Sequence, residues 1–204
     1  MSNFGELCLV LGDLHLPHRA SSIHPKFLRM LVPGKMQHVL CTGNLTTRDQ
    51  YDMLRDLAPN VHVTRGDFDE PGVGGDEMGG GSGFPEKKVV RIGDYRIGLL
   101  HGHTVIPWGD PDSLLATARS MDVDILITGH THSTEVRQYE GKWFVNPGSI
   151  TGAFSPVGSA MGGDKASFIL LAIQGRKVVC YCYVLGKGGE VEVSKTEFEK
   201  GSTD

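Results

Sequence analysis

The sequence has no long apolar run, no excess of basic side chains and few cysteines. The longest uninterrupted apolar run, Val178 to Leu185, has eight residues, whereas a membrane-spanning helix needs about 20. Lysine and arginine number 20 against 24 acidic side chains, a formal net charge of −4. No basic surface for nucleic acid is evident, which disfavours a nuclease. The segment Met1–Glu6 lacks the basic and apolar parts of a secretory signal, so we expect a cytoplasmic protein.

The four cysteines, Cys8, Cys41, Cys180 and Cys182, form no C-x-x-C pair. This spacing argues against a thiolate zinc site. In a chain without a signal, the four cysteines are expected to be reduced, buried thiols. The length of 204 residues, with 39% apolar and 22% charged residues, suits a single domain over 1–204, of α/β type or a large all-β type.

Glycine is about twice as frequent as usual, at 28 of 204 residues. Part of the excess lies in PGVGGDEMGGGSGFP, residues 71–85, which shows no apolar periodicity. We interpret this segment as a mobile surface loop of the domain. A phosphate-binding loop would need a following Lys-Ser/Thr and a strand–loop–helix setting, and neither is present.

The remaining sequence predicts helix-linked strands first and hairpins later. Apolar runs that end at a glycine predict strands at 7–12, 38–43, 61–66, 96–102 and 124–130. Helices are predicted at Pro25–Val32, at Arg48–Leu57 behind a Thr47/Gln50 capping box, and at Pro111–Met121 behind Asp110 as N-cap. Hairpins are predicted at 134–149 and 167–185, followed by a strand at 190–198. This order predicts two facing sheets with helices outside.

Donor side chains stand at the ends of five predicted strands. They are Asp13 and His15, Asn44, Asp67, His101, and His130 with His132. One such histidine is more often an ordinary polar residue, but five donor-bearing strand ends are hard to ascribe to chance. Because ligand sites in α/β proteins gather at the carboxyl ends of strands, we expect one site there.

The motifs at these positions are GDLH (12–15), GN (43–44), GDFD (66–69), HGH (101–103) and GHTH (129–132). In type and order they resemble those of the calcineurin-like metallophosphoesterases, over about residues 7–150. The resemblance implies an α/β fold, the four-layer α-β-β-α sandwich of that superfamily. It also implies one divalent metal among Asp13, His15, Asn44 and His132, and a second among Asn44, Asp67, His101 and His130. Such donors suit Zn²⁺, Mn²⁺ or Fe. The alternative is a polar network that holds no metal.

Two positions depart from the active members of that superfamily. This chain has Asn44 at the bridging position, where they have Asp, and Phe68 where they have a catalytic histidine. A neutral amide does little to reduce the repulsion between two metals about 3.5–4 Å apart, so we expect weak occupancy by one or two Zn or Mn ions. Phenylalanine supplies no general acid catalysis, typically worth about 10²–10⁴ in rate. We therefore expect a non-catalytic protein, with an active dinuclear phosphoesterase as the alternative.

Within the superfamily, VLGDLHLPHR, RGDFDE, HGHTVIPWGD and NPGSITGA are most similar to the small-subunit family of the retromer coat. That resemblance implies a scaffold for endosome-to-Golgi and endosome-to-surface cargo retrieval, recruited to endosomal membranes through partners. It implies a large α-solenoid subunit at the metal face and regulatory proteins at a remote apolar patch. No nucleic acid and no direct membrane insertion are implied.

Two segments are candidate partner surfaces. The first is Ile106, Pro107 and Trp108, just after the HGH motif; alternatively, Trp108 caps the core. The second lies in the hairpin at 167–185, where strand alternation separates the two cysteines from Tyr181 and Tyr183. With Leu170, these tyrosines form the candidate regulatory patch, unless the hairpin is buried on both faces.

Overall fold

The computed structural model describes residues 5–70, 72–74, 83–160 and 165–201. Its strands are β1 (Glu6–Leu11), β2 (His38–Cys41), β3 (Asn60–Val63), β4 (Lys87–Ile92), β5 (Tyr95–Leu100), β6 (Ile125–Ile127), β7 (Thr134–Tyr139), β8 (Lys142–Pro147), β9 (Ser167–Gln174), β10 (Lys177–Leu185) and β11 (Val191–Glu199). Its helices are α1 (Pro25–Met30), α2 (Arg48–Leu57), α3 (Pro111–Ser120) and α4 (Pro156–Ala160).

The strands form two mixed sheets. The first has the order β11-β10-β9-β1-β2-β3, and the second β4-β5-β6-β8-β7. Strands β1, β2 and β3 run parallel, as do β5, β6 and β8. Helices α1, α2 and α3 link β1 to β2, β2 to β3 and β5 to β6, whereas hairpins join β4 to β5, β7 to β8 and β9 to β10. The parallel strands therefore end at the same edge of their sheets, which is where the donor residues follow.

Three apolar clusters show the layering. Residues of both sheets, such as Val10 and Ile127, meet in the cluster between the sheets. The outer face of the first sheet packs against Phe27 of α1 and Leu54 of α2, and α3 covers the second sheet through Leu115. The expected four-layer α-β-β-α sandwich is therefore confirmed.

The predicted helices are confirmed with small differences. Helix α2 has the predicted bounds, whereas α1 and α3 end two residues and one residue early. Asp110 caps α3 by accepting from the Ser113 N–H at 2.8 Å. The capping box at Thr47 was wrong: Thr47 makes no side-chain cap bond, and the Gln50 amide instead donates to the Leu16 carbonyl at 2.9 Å. A tertiary partner thus outcompetes the local one.

Two elements had no counterpart in the sequence analysis. Strand β4 pairs with β5 as a hairpin, but Lys87, Lys88 and Arg91 give it too much charge for a clear apolar pattern. The short helix α4 has little apolar periodicity. Strand β4 lies at the edge of the second sheet. Charged side chains are common on edge strands because they discourage pairing with other chains, and they also interrupt the apolar pattern that would predict the strand.

The cysteines and the carboxyl-terminal hairpin follow the expected pattern. Cys8, Cys41, Cys180 and Cys182 are all free and buried. Cys180 and Cys182 face the core between the sheets, together with Ile169 of β9. On the opposite face of this hairpin, Phe168 is buried and the other apolar side chains are half-buried. The described helices include none long and apolar enough to cross a membrane.

The Gly-rich segment has apolar anchors at both ends, which the sequence analysis did not expect. Val73 and Phe84 are buried in the cluster under α2, and the Phe84 ring lies 5.2 Å from the Tyr51 ring, edge to face. Residue 71 and residues 75–82 lie outside the described part, so the mobility expected for the middle of the loop stays a prediction. Both ends of the loop belong to the core.

Phe84→Ala is expected to lower the free energy of unfolding by about 3 kcal/mol, because it removes a buried ring and leaves a cavity beside Tyr51. Urea denaturation measures this loss. The control is Phe154→Ala, which removes a ring that is 64% exposed and should cost less than about 0.5 kcal/mol. A loss below about 1 kcal/mol for Phe84→Ala would show that this end of the loop is not held by the core.

A second expected effect concerns pH and His62 on β3. Both ring nitrogens of His62 are buried and have no hydrogen-bond partner among the described residues. Burial, with contributions from the charges of Lys88 and His38, lowers the pKa of His62 to about 4. The folded state therefore resists protonation that the unfolded state accepts near its ordinary pKa of about 6.5. Stability from this residue is complete above about pH 6.5 and is lost as the pH falls towards 4.

His62→Leu should therefore reduce the loss of stability between pH 6.5 and 4 by about 1–2 kcal/mol, less than the full pKa shift implies because the side chain is only half-buried. Urea titrations at several pH values give the difference between the variant and the wild type. His18→Leu, at an exposed histidine, is the control. Equal pH slopes for wild type and His62→Leu would contradict the prediction.

Candidate functional site

The structure brings the seven predicted donor residues together at one edge of the two sheets. The first triad is Asp13, His15 and His132, and the second is Asp67, His101 and His130. Within each triad, one ligand atom per residue lies within 4.8 Å of the others. Asn44, the seventh residue, lies between the triads. The grouping follows from the parallel strands β1, β2, β3, β5 and β6, whose carboxyl ends share this edge.

The backbone at the site is held in an unusual conformation. Positive φ angles occur at Asp13 (51°), His15 (48°), Asn44 (58°), His130 (68°) and His132 (56°). Side chains other than glycine seldom adopt this left-handed region, and such residues cluster at functional sites. Here each of these residues follows shortly after the end of a strand. The surrounding hydrogen bonds, such as Asp13 N–H to the Gly43 carbonyl at 3.0 Å, hold this conformation in place.

The Asn44 amide occupies the centre of the cluster. Its Oδ1 accepts from the Phe68 N–H at 2.9 Å, which directs its Nδ2 towards the triads. That nitrogen lies 3.1–3.2 Å from four site atoms: Asp13 Oδ1, His15 Nε2, Asp67 Oδ1 and His101 Nε2. A neutral group therefore stands where a bridging carboxylate would bring a negative charge.

Backbone carbonyls orient two of the histidines. His101 Nδ1 lies 2.9 Å from the Thr42 carbonyl, and His132 Nδ1 lies 2.6 Å from the Ala153 carbonyl. A carbonyl only accepts, so each Nδ1 carries a hydrogen, and each Nε2 faces the cluster, where His101 Nε2 lies 2.9 Å from Asp67 Oδ1 and His132 Nε2 lies 3.5 Å from Asp13 Oδ1. This arrangement is typical of histidines that ligate metals.

The positions of the histidine ring nitrogens also fit a cation. His15 Nε2 and His132 Nε2 face each other at 3.2 Å, and His130 Nδ1 lies 3.9 Å from Asp67 Oδ2 in the second triad. Two imidazoles and one carboxylate in each triad are a donor set that Zn²⁺ and Mn²⁺ accept. The residues present therefore fit one divalent ion per triad.

The protonation states follow from the two carboxylates. Burial opposes protonation of His101 and His132, but Asp13, and for His101 also Asp67, outweigh it and raise the pKa of both rings. Burial opposes ionisation of Asp13, but the charge of His101 and the hydrogen bond from His132 outweigh it and lower the pKa of Asp13 to about 2. Burial lowers the pKa of His15 to about 4. Burial also opposes ionisation of Asp67, but hydrogen bonds from His101 and Asn44 hold its pKa well below the usual range. At neutral pH, the carboxylates are charged and the His15 ring is neutral.

Asp69 is a site residue that the sequence analysis missed. Its carboxylate accepts from the backbone N–H groups of Asn44 at 2.8 Å, Thr46 at 3.0 Å and Gly66 at 2.8 Å. It thereby joins the loop after β2 to the loop after β3. The second aspartate of GDFD was the available signal, but its role depends on a contact between two loops.

Phe68 lies at the mouth of the site. Its side chain is 47% exposed, and its ring stands edge-on to the His15 ring at 5.3 Å. The guanidinium of Arg19 lies over the Phe68 ring, 4.3 Å from its centroid. Neither the ring nor this stacked cation, which is always protonated, can exchange a proton with a substrate.

The loop with Ile106, Pro107 and Trp108 borders the second triad. The Trp108 ring lies 4.5 Å from the His130 ring, and its Nε1–H donates to the His103 carbonyl at 3.0 Å. Ile106 is 73% exposed and Trp108 42%. Trp108 thus contacts the site from outside the core, and Ile106 projects into solvent beside it.

Leu170, Tyr181 and Tyr183 lie on the outer face of the first sheet. Leu170 of β9 pairs directly with Tyr181 of β10. Tyr183 stacks on the buried Phe168 at 4.7 Å between centroids, so it is partly used by the core. All three predicted patch residues are half-buried, and this face of the hairpin is neither fully buried nor fully open.

Comparisons with known proteins identify the family. The calcineurin-like phosphoesterase superfamily domain matches residues 7–175. Vacuolar protein sorting-associated protein 29 of Schizosaccharomyces pombe is 37% identical over 197 residues, covering 95% of this chain and 98% of the relative. Vacuolar protein sorting 29 of Cryptosporidium parvum is 43% identical, with a TM-score of 0.89 over 97% of this chain and 100% of that one.

Wild-type Vps29 of Entamoeba histolytica, solved in complex with Zn²⁺, is 46% identical, with a TM-score of 0.82 over 94% of this chain and 98% of that one. Sequence identity and fold agree over nearly the whole length. The chain therefore belongs to the Vps29 family of the calcineurin-like phosphoesterase superfamily.

Proposed function

We propose that this chain is a non-catalytic scaffold subunit of the retromer coat, acting in endosome-to-Golgi and endosome-to-surface cargo retrieval. The observation that carries the proposal is the exposure of Ile106. This branched apolar side chain is 73% exposed and lies on the loop that borders the second triad. Trp108 on the same loop is also exposed, at 42%, and neighbouring exposed apolar groups that form a patch rimmed by polar residues mark contact surfaces. Family membership supplies the context in which such a surface has a partner.

The proposed partner at this face is the large α-solenoid subunit of the coat. Ile106 is its apolar anchor, while Pro107 and Trp108 give that anchor a stiff support with little entropy to lose on binding. Energy at interfaces concentrates in a few such residues. The triads lie recessed behind the loop, with His101 and His132 almost fully buried, so shape and apolar contact contribute more to binding than the triads do.

Phe68 and Asn44 support the non-catalytic part of the proposal. Phe68 has no titratable group where a general acid would stand. The Asn44 amide contributes no charge between the triads. In two-metal phosphoester hydrolysis the two ions stabilise the attacking and leaving oxygens. Phe68 removes the general acid from this chemistry, and Asn44 removes the negative charge between the two ions.

The same residues define the proposed metal binding. Zn or Mn would be held by the two triads, and a bound ion would supply Lewis acidity and charge. The Zn²⁺-bound relative from Entamoeba histolytica supports this choice. Because Asn44 is neutral, two ions at the site repel each other with little compensation, so we expect weak double occupancy.

Regulatory proteins are proposed to bind the patch of Leu170, Tyr181 and Tyr183. Aromatic residues are enriched at protein interfaces, and this patch lies on the outer face of the hairpin formed by β9 and β10. In this proposal the chain reaches endosomal membranes through its partners and does not insert into the bilayer.

Affinity capture tests the scaffold proposal. The tagged chain is incubated with cytosol of its own organism, and bound proteins are identified by mass spectrometry. We expect to recover a large helical-repeat subunit with the wild type and to lose it with Ile106→Asp. If the wild type recovers no helical-repeat coat subunit, the proposal is wrong.

The second candidate is an active dinuclear phosphoesterase. One observation favours it: both triads are complete and their carboxylates are ionised at neutral pH. Metal-dependent turnover by the purified protein distinguishes it from the scaffold.

A further inference from the structure

We infer that Arg19 is the anion-recognition residue of the metal face and that it receives an acidic side chain of the protein that docks there. This inference rests on the proposed scaffold function, because it concerns the same face. It adds a charged contact to the apolar one at Ile106 and names the chemistry that the partner must bring.

Arg19 is exposed but held in place. Its N–H donates to the His15 carbonyl at 2.8 Å, which closes the turn after β1. Its guanidinium lies over the Phe68 ring at 4.3 Å, and its Nη1 donates to the Phe154 carbonyl at 3.3 Å. A guanidinium held from two sides has already lost much of its rotamer freedom, so a bound carboxylate orders little more.

The charge of Arg19 has no counter-ion in the described part of the chain. Four other described arginines form ion pairs with carboxylates: Arg48, Arg65, Arg96 and Arg137. Arg19 instead rests on an aromatic face and a neutral carbonyl, and most of its five N–H donors have no partner among the described residues. Arginine presents these donors as a fork that matches a carboxylate, so the free edge of the guanidinium is complementary to Asp or Glu.

The space beside Arg19 suits one side chain rather than a small molecule. Arg19, Phe68, Trp108 and Val157 are among the residues that line a cavity of about 140 Å³ at the mouth of the triads. Small-molecule sites usually measure about 300–1,000 Å³. The exposed ring of Phe68 lines this cavity, and Phe154, which is also exposed, accepts from Arg19 through its carbonyl. A charged contact surrounded by apolar groups that exclude water is typical of protein interfaces.

Calorimetry with the full-length large α-solenoid subunit tests the inference. Binding is measured at two salt concentrations for the wild type, Arg19→Gln, Arg19→Lys and Arg29→Gln. Arg19→Gln should weaken binding at least about tenfold and reduce its salt dependence. The affinity of Arg19→Lys should lie between those of the wild type and Arg19→Gln, because lysine keeps the positive charge but lacks the forked donors of the guanidinium. Arg29→Gln, the same change on α1, where Arg29 Nε donates to the Pro25 carbonyl, should bind like the wild type.

Three outcomes would overturn the inference, and they are distinguishable. Arg19→Gln binding within twofold of the wild type, with the same salt dependence, would show that Arg19 receives no carboxylate while the docking face stands. Binding of inorganic phosphate to the free protein that Arg19→Gln removes would assign Arg19 to a small anion instead. Failure of the wild type to bind the solenoid subunit would overturn the scaffold proposal itself. Melting curves of each variant establish that it is folded.

Discussion

Ile106→Asp should weaken binding of the large α-solenoid subunit about a thousandfold. The side chain is 73% exposed in the free protein, so the substitution costs little before binding. In the complex it would bury an unpaired carboxylate, at a cost of several kcal/mol. A cost of about 4 kcal/mol corresponds to a factor of about a thousand in affinity. Calorimetry with the full-length solenoid subunit measures the change.

The control for Ile106→Asp is Val193→Asp. Val193 is also an exposed branched apolar residue, 54% accessible, but it lies on β11, the edge strand of the first sheet. Val193→Asp should leave solenoid binding unchanged.

Asp13→Ala should weaken solenoid binding less than Ile106→Asp does, because Asp13 is fully buried behind the loop. Wild-type affinity for Ile106→Asp, or loss of binding on chelation while the fold survives, would contradict the docking assignment.

Purified wild-type protein with Mn²⁺ or Zn²⁺ should hydrolyse generic phosphomonoesters and diesters at negligible rates. Phe68 offers no proton to a leaving group, and Asn44 places a neutral amide between the triads. The double variant Asn44→Asp/Phe68→His restores both groups and should raise any trace rate by about 10²–10⁴, the usual contribution of general acid catalysis. Steady-state assays with and without chelator give the metal-dependent part.

Matched variants separate the two causes of low activity. Asn44→Asp alone should increase metal uptake, measured by titration calorimetry, and Phe68→His alone should leave metal uptake nearly unchanged. Phe68→Leu, which alters the mouth of the site without adding a proton donor, is the control for the rate. Wild-type turnover of about 1 s⁻¹ or more, an ordinary enzymatic rate, would contradict the proposal of a non-catalytic scaffold and favour the active phosphoesterase.

Local patterns were enough to predict most of the architecture. The apolar run at 7–12 covers all of β1 except Glu6, the run at 124–130 contains β6, and the limits of α2 follow from its position between Thr47 and Pro59. Strand alternation put Cys180 and Cys182 in the core. These features depend on the periodic alternation of apolar and polar residues and on the turn residues that flank each element. Both signals are local in the sequence.

Motif order was also enough to select the donor residues, since each follows a strand end. Their grouping into two triads and the position of the Asn44 amide between them depend on five loops that meet across two sheets. The same is true of Asp69, which links two loops, and of Arg19, whose charge is held by Phe68 and Phe154. Such contacts join residues 23 to 135 positions apart in the chain.

Tertiary contacts also overrode two local expectations. The Gln50 side chain was predicted to cap α2, but it donates to the Leu16 carbonyl instead. Val73 and Phe84 were predicted to lie in a surface loop, but both are buried in the core. A lone apolar residue among glycines carries no periodic signal, and only the packing of α2 over the first sheet creates the space that buries it. Short-range chemistry thus decided which elements form, whereas long-range packing decided which side chains meet, because contact between distant residues depends on how the sheets and loops are assembled.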